Sequence, residues 1–115
     1  MPSARSDLAL VTIRDNAVLA RSFVADMTVE AFTVDRRTFY AVTRCLEIIS
    51  EAARRLDEAT TSRHPHIPWR QIAAAGNVYR HDYDNVVEAY VWETVKTRLP
   101  ELIAAVEAEW AGWKN

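Results

Sequence analysis

The sequence contains few of the residues that interrupt helices, with only two glycines and four prolines among 115 residues. Glycine and proline are the least favourable residues in a helix interior, whereas alanine, which recurs throughout this chain, is the most favourable. No segment shows the period-two alternation of a half-buried strand, so we expect an all-α protein. The single cysteine, Cys45, excludes a disulfide bond within the chain and suits a reducing compartment. Its spacing from neighbouring apolar residues predicts that it is buried.

Long apolar segments and a strong excess of one charge are also absent. No apolar run approaches the roughly 20 residues needed to cross a bilayer, and charges interrupt the apolar positions of residues 1–15, unlike a signal peptide. We therefore expect a cytoplasmic protein with no membrane partner, folded as a single domain over residues 1–115. The net charge of −2 argues against strong nonspecific attraction to nucleic acid. Any contact with RNA must then come from a local group of arginines.

Apolar residues recur at helical spacing in four segments, which predicts an up-and-down bundle of four main helices plus short helical turns. Ser6 or Asp7 is expected to cap the first helix. A short turn of helix is expected over residues 29–32. Asp35 is then expected to cap the longest helix, in which apolar positions recur at intervals of three and four over residues 39–56.

Two prolines mark the second half of this pattern. The third helix is expected to open at Pro68, and the fourth to be kinked or restarted at Pro100. On the surface of the second main helix, Arg54 stands at the spacing of ordinary ion pairs with Glu51 and Glu58.

The most polar stretch is GNVYRHDYDNV, at positions 76–86 between two apolar helices. If the third helix continues to about Arg80, Asn77 and His81 share one face, and Arg80 projects about 100° away from His81. An amide, an imidazole and a guanidinium near one helix end suit a phosphate, because arginine forks two donors to its oxygens and histidine moves protons near neutral pH. The alternative is a solvated turn whose acidic residues cap the next helix. Spacing alone leaves both interpretations open.

Two further features need an explanation. Gly76 follows three alanines, and a glycine inside a helix costs about 1 kcal/mol relative to alanine, so it usually marks a close approach. The approaching element is either a partner subunit or another helix of the same chain. His64 and His66 flank Pro65, but no second pair of ligands stands at the spacing of a zinc site, so no metal is expected.

Three segments stand in the order of a known family. FVADMTVEAFTVDRRTFYAVTRCLEIISEAARRL, IPWRQIAAAGNVYRHDY and VWETVKTRLPEL resemble the long-helix, proline-tryptophan and tryptophan-to-leucine-proline segments of the HepT-like branch of the HEPN superfamily. The resemblance extends from about Leu8 to Trp110. It implies a HEPN-like helical bundle that forms a homodimer, with an active site in a cleft beside the subunit interface.

The resemblance also implies a function. HepT-like toxins of toxin–antitoxin systems are metal-independent endoribonucleases that use no cofactor. Their partner is an MntA-like nucleotidyltransferase antitoxin, which inactivates some of them by transferring AMP to a tyrosine. Their motif is an arginine, four to six residues, a histidine, any residue and a tyrosine. His81 and Tyr83 match this motif, and Asn77 matches the asparagine that commonly follows the arginine, but Gly76 stands at the arginine position.

Arg80 is the only nearby substitute for that arginine, and it is expected to stabilise charge on the phosphate of an RNA substrate. His81 would transfer protons during attack by the ribose 2′-hydroxyl, and Asn77 would orient the histidine or the phosphate. Glu51 is expected to anchor Arg80 or Asn77. Tyr83 would contact substrate or accept AMP.

The competing hypothesis is a non-catalytic HEPN dimer that lost catalysis with the motif arginine and binds its antitoxin partner or a nucleotide. The direction of the Arg80 side chain discriminates between the two hypotheses. A guanidinium in the cleft beside His81 favours the enzyme, whereas a pair with an acid such as Asp84 favours the binding protein.

Overall fold

The protein is described by a computed structural model over residues 4–81 and 86–113, without the side chains of Ala4, His81 and Trp113. Throughout these residues the regular secondary structure is helical, which confirms the all-α prediction. The helices are α1 (Ala4–Phe23), α2 (Val29–Val34), α3 (Arg36–Ala53), α4 (Glu58–Ser62), α5 (Trp69–His81), α6 (Glu88–Glu93) and α7 (Leu99–Trp113), with a π-helical turn (Thr94–Arg98) that joins α6 to α7.

The bundle is organised around α3, which packs against α1 on one side and α5 on another, while α7 packs against α1. Because α6, the π-helical turn and α7 form one uninterrupted run, the described chain has the four main helices that were expected. The core contains fully buried side chains from α1, α3 and the run from α6 to α7, among them Leu10, Ile13, Phe39, Val42, Val95 and Val106. In the described part of the chain, no helix combines the length and apolar character required to cross a membrane.

The predicted start of the first helix is wrong. That helix already begins at Ala4, and Ser6 lies inside it, fully buried. The Ser6 hydroxyl accepts a long hydrogen bond of 3.4 Å from the N–H of Asp57, so it serves a contact across the bundle instead of a cap. Asp7 also lies inside the helix.

The prediction for α3 is confirmed at its beginning and wrong in its length. Asp35 caps the helix by accepting hydrogen bonds from the Thr38 N–H at 3.0 Å and from the Thr38 hydroxyl at 2.8 Å, and these bonds lower the pKa of Asp35. The helix ends at Ala53 rather than at Leu56, and its 18 residues are fewer than the 20 of α1. Cys45 is buried within α3, as expected.

The fourth helix accommodates Pro100 with one widened turn. Proline has no N–H to donate to the carbonyl four residues earlier, at Lys96. The chain accommodates this with the π-helical turn, in which the Leu99 N–H bonds to the Thr94 carbonyl oxygen five residues before it. The run then continues as α7, so the expected kink or restart is a local change of helical pitch.

A buried carboxylate ties α7 to the loop before α5. Glu109 is 7% exposed and accepts two hydrogen bonds from Arg63, at 2.8 and 2.9 Å. His64 Nε2 lies 2.7 Å from the same carboxylate. The hydrogen bonds from Arg63, followed by the contact with His64, lower the pKa of Glu109, although burial opposes them.

We predict that Glu109→Gln lowers the free energy of unfolding by about 1–3 kcal/mol at neutral pH, because hydrogen bonds to a charged group are lost or weakened. A carboxyl group whose pKa is lowered by folding stabilises the folded state above its unfolded pKa and loses that contribution as the pH falls. The difference between wild type and variant should therefore shrink as the pH drops below about 4.5. Urea unfolding measured between pH 3 and pH 7 tests this. Glu107→Gln, on the exposed face of the same helix, is the matched control, and an equal effect of both substitutions would contradict the prediction.

Candidate functional site

A polar seam joins the C-terminal half of α3 to α5. At its centre is Ser50, which is 1% exposed. Its hydroxyl donates a hydrogen bond to the Ala73 carbonyl oxygen at 2.9 Å and accepts one from the Gly76 N–H, also at 2.9 Å. One side chain of α3 therefore bonds to two backbone groups of α5, which requires the two helices to lie very close together.

Gly76 makes this approach possible. A Cβ atom at position 76 would lie 2.6 Å from Ser50 Oγ and 3.0 Å from Ser50 Cβ, closer than side-chain atoms ordinarily approach. Of the two explanations offered for Gly76, the described residues show close packing within the chain. The same geometry means that an arginine could not occupy position 76 unless α3 or Ser50 moved.

Arg80 folds back along α5 towards Gly76. Its Nε lies 3.5 Å from the Gly76 carbonyl oxygen, at the limit of a hydrogen bond. Its Nη2 lies 3.3 Å from the place where a Cβ of residue 76 would be, and 3.8 Å from Oε2 of Glu51. The guanidinium of Arg80 thus lies over Gly76, on the side of α5 that faces α3.

Arg54, the C-cap residue of α3, reaches the same seam. Its Nε donates a hydrogen bond to the Ala73 carbonyl oxygen at 2.9 Å, and its Nη2 donates one to Oδ1 of Asn77 at 3.4 Å. Ion pairs with Glu51 and Glu58 along the surface of its own helix were expected, but Arg54 turns to α5 instead. Its position one helical turn after Ser50 is the signal in the sequence that could have indicated this direction.

Residues 13–109 match the model of the family described as "Ribonuclease HepT-like". The chain belongs to this family. The expected resemblance is confirmed.

Individual HepT-like relatives cover most of the chain. "Putative RNase MJ0125" of Methanocaldococcus jannaschii is 37% identical over 81 residues, which are 70% of this chain and 70% of that protein. "Probable ribonuclease HepT" of Thermococcus cleftensis is 36% identical over 93 residues, 81% of this chain and 84% of that protein. "Putative RNase MJ0127" of M. jannaschii is 31% identical over 107 residues, 93% of this chain and 88% of that protein. No solved structure matches the chain.

The seam brings together three of the five candidate site residues of this HepT-like chain. Glu51 lies beside Arg80, and Asn77 lies on the turn of α5 between Gly76 and Arg80. His81 is the last residue of α5, so positions 77 and 81 lie one helical turn apart. The His81 side chain and the whole of Tyr83 lie outside the described residues.

Among the residues that the structure describes, the seam carries two guanidinium groups and one carboxylate, in a chain of net charge −2. The side chain of Arg80 is 36% exposed and that of Glu51 is 46% exposed. Water screens an ion pair at this exposure, and such pairs contribute about 0–1 kcal/mol. Glu51 therefore orients Arg80 without holding it tightly. Asp84, the alternative partner considered for Arg80, lies outside the described residues.

The neighbouring residue on α5, Tyr79, has a different environment. It is 7% exposed and lines a mainly apolar cavity of about 160 Å³ between α3, α5 and the run from α6 to α7. Burial raises the pKa of Tyr79, so its hydroxyl stays protonated at physiological pH. Tyr79 therefore contributes to packing.

The two histidines that flank Pro65 lie beside each other near the Glu109 carboxylate. His64 faces the Glu109 carboxylate, with the ring of His66 beside it at 6.1 Å between centroids. Within residues 4–81 and 86–113, no group of three or more histidine, cysteine, aspartate or glutamate side chains is arranged to hold a metal ion.

We predict that Gly76→Ala destabilises the protein, although alanine is the better helix former by about 1 kcal/mol. The new methyl group would collide with Ser50, and overpacking of this kind costs about 1–3 kcal/mol. Turning the Ser50 hydroxyl away would relieve only part of the collision and would break its two hydrogen bonds. The measurement is the urea midpoint of unfolding. Gly112→Ala is the matched control, because a Cβ at Gly112 meets nothing within 4 Å, and this substitution should be neutral or slightly stabilising.

Proposed function

We propose that this HepT-like protein is a metal-independent endoribonuclease, the toxin component of a toxin–antitoxin system, with an active site centred on Arg80 and His81. The observation that carries the proposal is the position of the Arg80 guanidinium over Gly76. Family membership supports an RNase-type activity, and the names of the relatives agree with it.

The position of Arg80 supports its proposed role as the substitute for the missing motif arginine. The family motif would place an arginine at position 76, where the contact with Ser50 leaves no space for a side chain. Arg80 lies one helical turn later, and its side chain folds back over the backbone at position 76. Its Nη2 lies 3.3 Å from the place where a Cβ of residue 76 would be. A guanidinium therefore lies over position 76, near Glu51 of α3.

The proposed reaction is a transesterification within the RNA. The 2′-oxygen of one ribose forms a bond to the adjacent phosphorus as the bond from phosphorus to the 5′-oxygen breaks, which leaves a 2′,3′-cyclic phosphate and a 5′-hydroxyl. Arg80 offers donors to the phosphate oxygens, where charge accumulates in the transition state. Asn77 offers an amide to the same group. No electron transfer occurs, so no redox cofactor is needed.

Two protons move during this reaction, one from the 2′-hydroxyl and one to the 5′-oxygen. Histidine suits either transfer because its ordinary pKa lies near 6.5. One imidazole does not readily perform both in a single step. We propose that the second transfer uses water or the partner subunit's His81 in a homodimer whose active-site cleft lies beside the subunit interface.

Regulation is proposed to occur at Tyr83. A cognate nucleotidyltransferase would join the α-phosphate of ATP to the Tyr83 hydroxyl oxygen, with pyrophosphate as the leaving group and the hydroxyl proton released to solvent. The attached AMP would add bulk and negative charge two residues from His81, which would repel an RNA phosphate. The proposed setting of toxin and antitoxin is the cytoplasm.

We predict that the wild type cleaves a labelled RNA pool in the presence of EDTA and that Arg80→Ala and His81→Ala each lose about 100-fold or more of this activity. Arg70→Ala, which removes an exposed arginine at the start of α5, should retain activity and serves as the control for loss of charge. If the unmodified wild type leaves the RNA intact, the protein is better described as a non-catalytic dimer that binds its antitoxin or a nucleotide. If Arg80→Ala alone remains active, Arg80 does not replace the motif arginine.

A second prediction concerns the modification. Co-expression with the cognate nucleotidyltransferase should increase the mass of the protein by one AMP or more, abolish RNA cleavage and leave Tyr83→Phe unmodified. Tyr90→Phe is the control, since Tyr90 is 64% exposed and should not change the modification. Peptide mass spectrometry identifies the modified residue, and AMP on any residue other than Tyr83 would contradict this part of the proposal.

A further inference from the structure

We propose that Arg54 is a positioning residue for the RNA phosphate and that it acts through Asn77. This inference rests on the proposed ribonuclease function. Arg54 lies at the C-terminal cap of α3, 23 residues before Asn77, and outside the family motif. The hydrogen bonds across the seam carry the inference.

Arg54 is held in place before it reaches Asn77. Its Nε bonds to the Ala73 carbonyl oxygen at 2.9 Å, which fixes the plane of the guanidinium against α5. From that position Nη2 extends to Asn77 Oδ1 at 3.4 Å. Asn77 lies one turn after Ala73, so the two contacts follow the axis of α5. This forked arrangement requires a guanidinium, because the single ammonium group of lysine does not reproduce its geometry.

The contact determines which end of the Asn77 amide remains available. A guanidinium carries donors and no acceptor, so the atom of Asn77 that faces Arg54 must be the carbonyl oxygen. The amide nitrogen, with its two hydrogens, then points away from Arg54. Because Asn77 is exposed, these hydrogens are accessible to a phosphate oxygen. Without Arg54, the amide could turn over and present an acceptor, which would repel the phosphate.

Arg54 is better suited to this indirect role than to direct contact with substrate. Two of its three nitrogen atoms already bond to Ala73 and Asn77. Its contribution to packing is small, because its side chain is exposed and Ser50 already bonds to the same Ala73 carbonyl. A purely structural role would therefore predict little effect of its removal on either stability or activity.

The test is a double-mutant cycle with Arg54→Met, Asn77→Ala and the combined variant. Methionine keeps an apolar stem and removes every donor. We expect Arg54→Met to lower kcat for RNA cleavage about 10-fold, with a smaller change in KM, and Asn77→Ala to lower kcat by at least as much. The combined variant should be no slower than Asn77→Ala, because Arg54 has no route to the substrate except through Asn77. Arg55→Met, an exposed arginine adjacent in the chain, is the control and should keep both kcat and the urea midpoint of unfolding.

Two results would overturn the inference while leaving the ribonuclease proposal intact. In one, Arg54→Met has no larger effect than Arg55→Met. In the other, the losses from Arg54→Met and Asn77→Ala multiply, which means that Arg54 contacts the RNA independently. Arg54→Lys gives a further check, because lysine keeps the charge and should recover only a minor part of the lost kcat.

A binding measurement separates this inference from the ribonuclease proposal. RNA methylated at every 2′-oxygen cannot undergo the reaction, so its affinity for the same variants does not depend on cleavage. If the wild type fails to cleave RNA but the variants weaken binding in the same non-additive pattern, the positioning role stands and the ribonuclease proposal fails. If binding shows no such pattern and no cleavage occurs, both are overturned.

Discussion

The close contact between α3 and α5 at Gly76 is the constraint on which the rest of the site depends. With no Cβ at this position, Ser50 comes near enough to bond to both a carbonyl and an N–H of α5. Those bonds fix the separation of the two helices. At that separation Arg54 also reaches the backbone of α5, and Glu51 comes within 3.8 Å of Arg80.

The same close contact explains why the motif arginine is absent from position 76. A long side chain at position 76 and a serine-mediated contact at the same position exclude each other, because both need the space beside Ser50. Once glycine occupies the position, however, the backbone surface is open, and Arg80 can fold back over it. Gly76 therefore does more than remove the motif arginine, because it also leaves space for the guanidinium of Arg80, which lies one helical turn later.

The sequence predicted local features well because they depend on spacing within one helix. The four main helices, the Asp35 cap and the burial of Cys45 all follow from patterns of three or four residues. Two features that depend on contacts between distant parts of the chain were predicted wrongly. Ser6 was assigned to a cap and Arg54 to surface ion pairs, yet each bonds to a group far along the chain. In each case the distant partner prevails over the local one, and a single sequence does not show which distant groups are neighbours.

The weakness of the ion pair between Glu51 and Arg80 fits the proposal that Arg80 leaves Glu51 to bind an RNA phosphate. A fully buried ion pair would hold Arg80 rigidly, and breaking it would cost several kcal/mol before any substrate was bound. At the observed exposure the pair costs little to break, so a phosphate, which offers more acceptor oxygens than a single carboxylate, can replace Glu51. Glu51 can then keep Arg80 over Gly76 in the absence of RNA without competing strongly once RNA arrives. Arg54, by contrast, bonds to the backbone carbonyl of Ala73, which no substrate displaces, and this suits its proposed role in orienting Asn77.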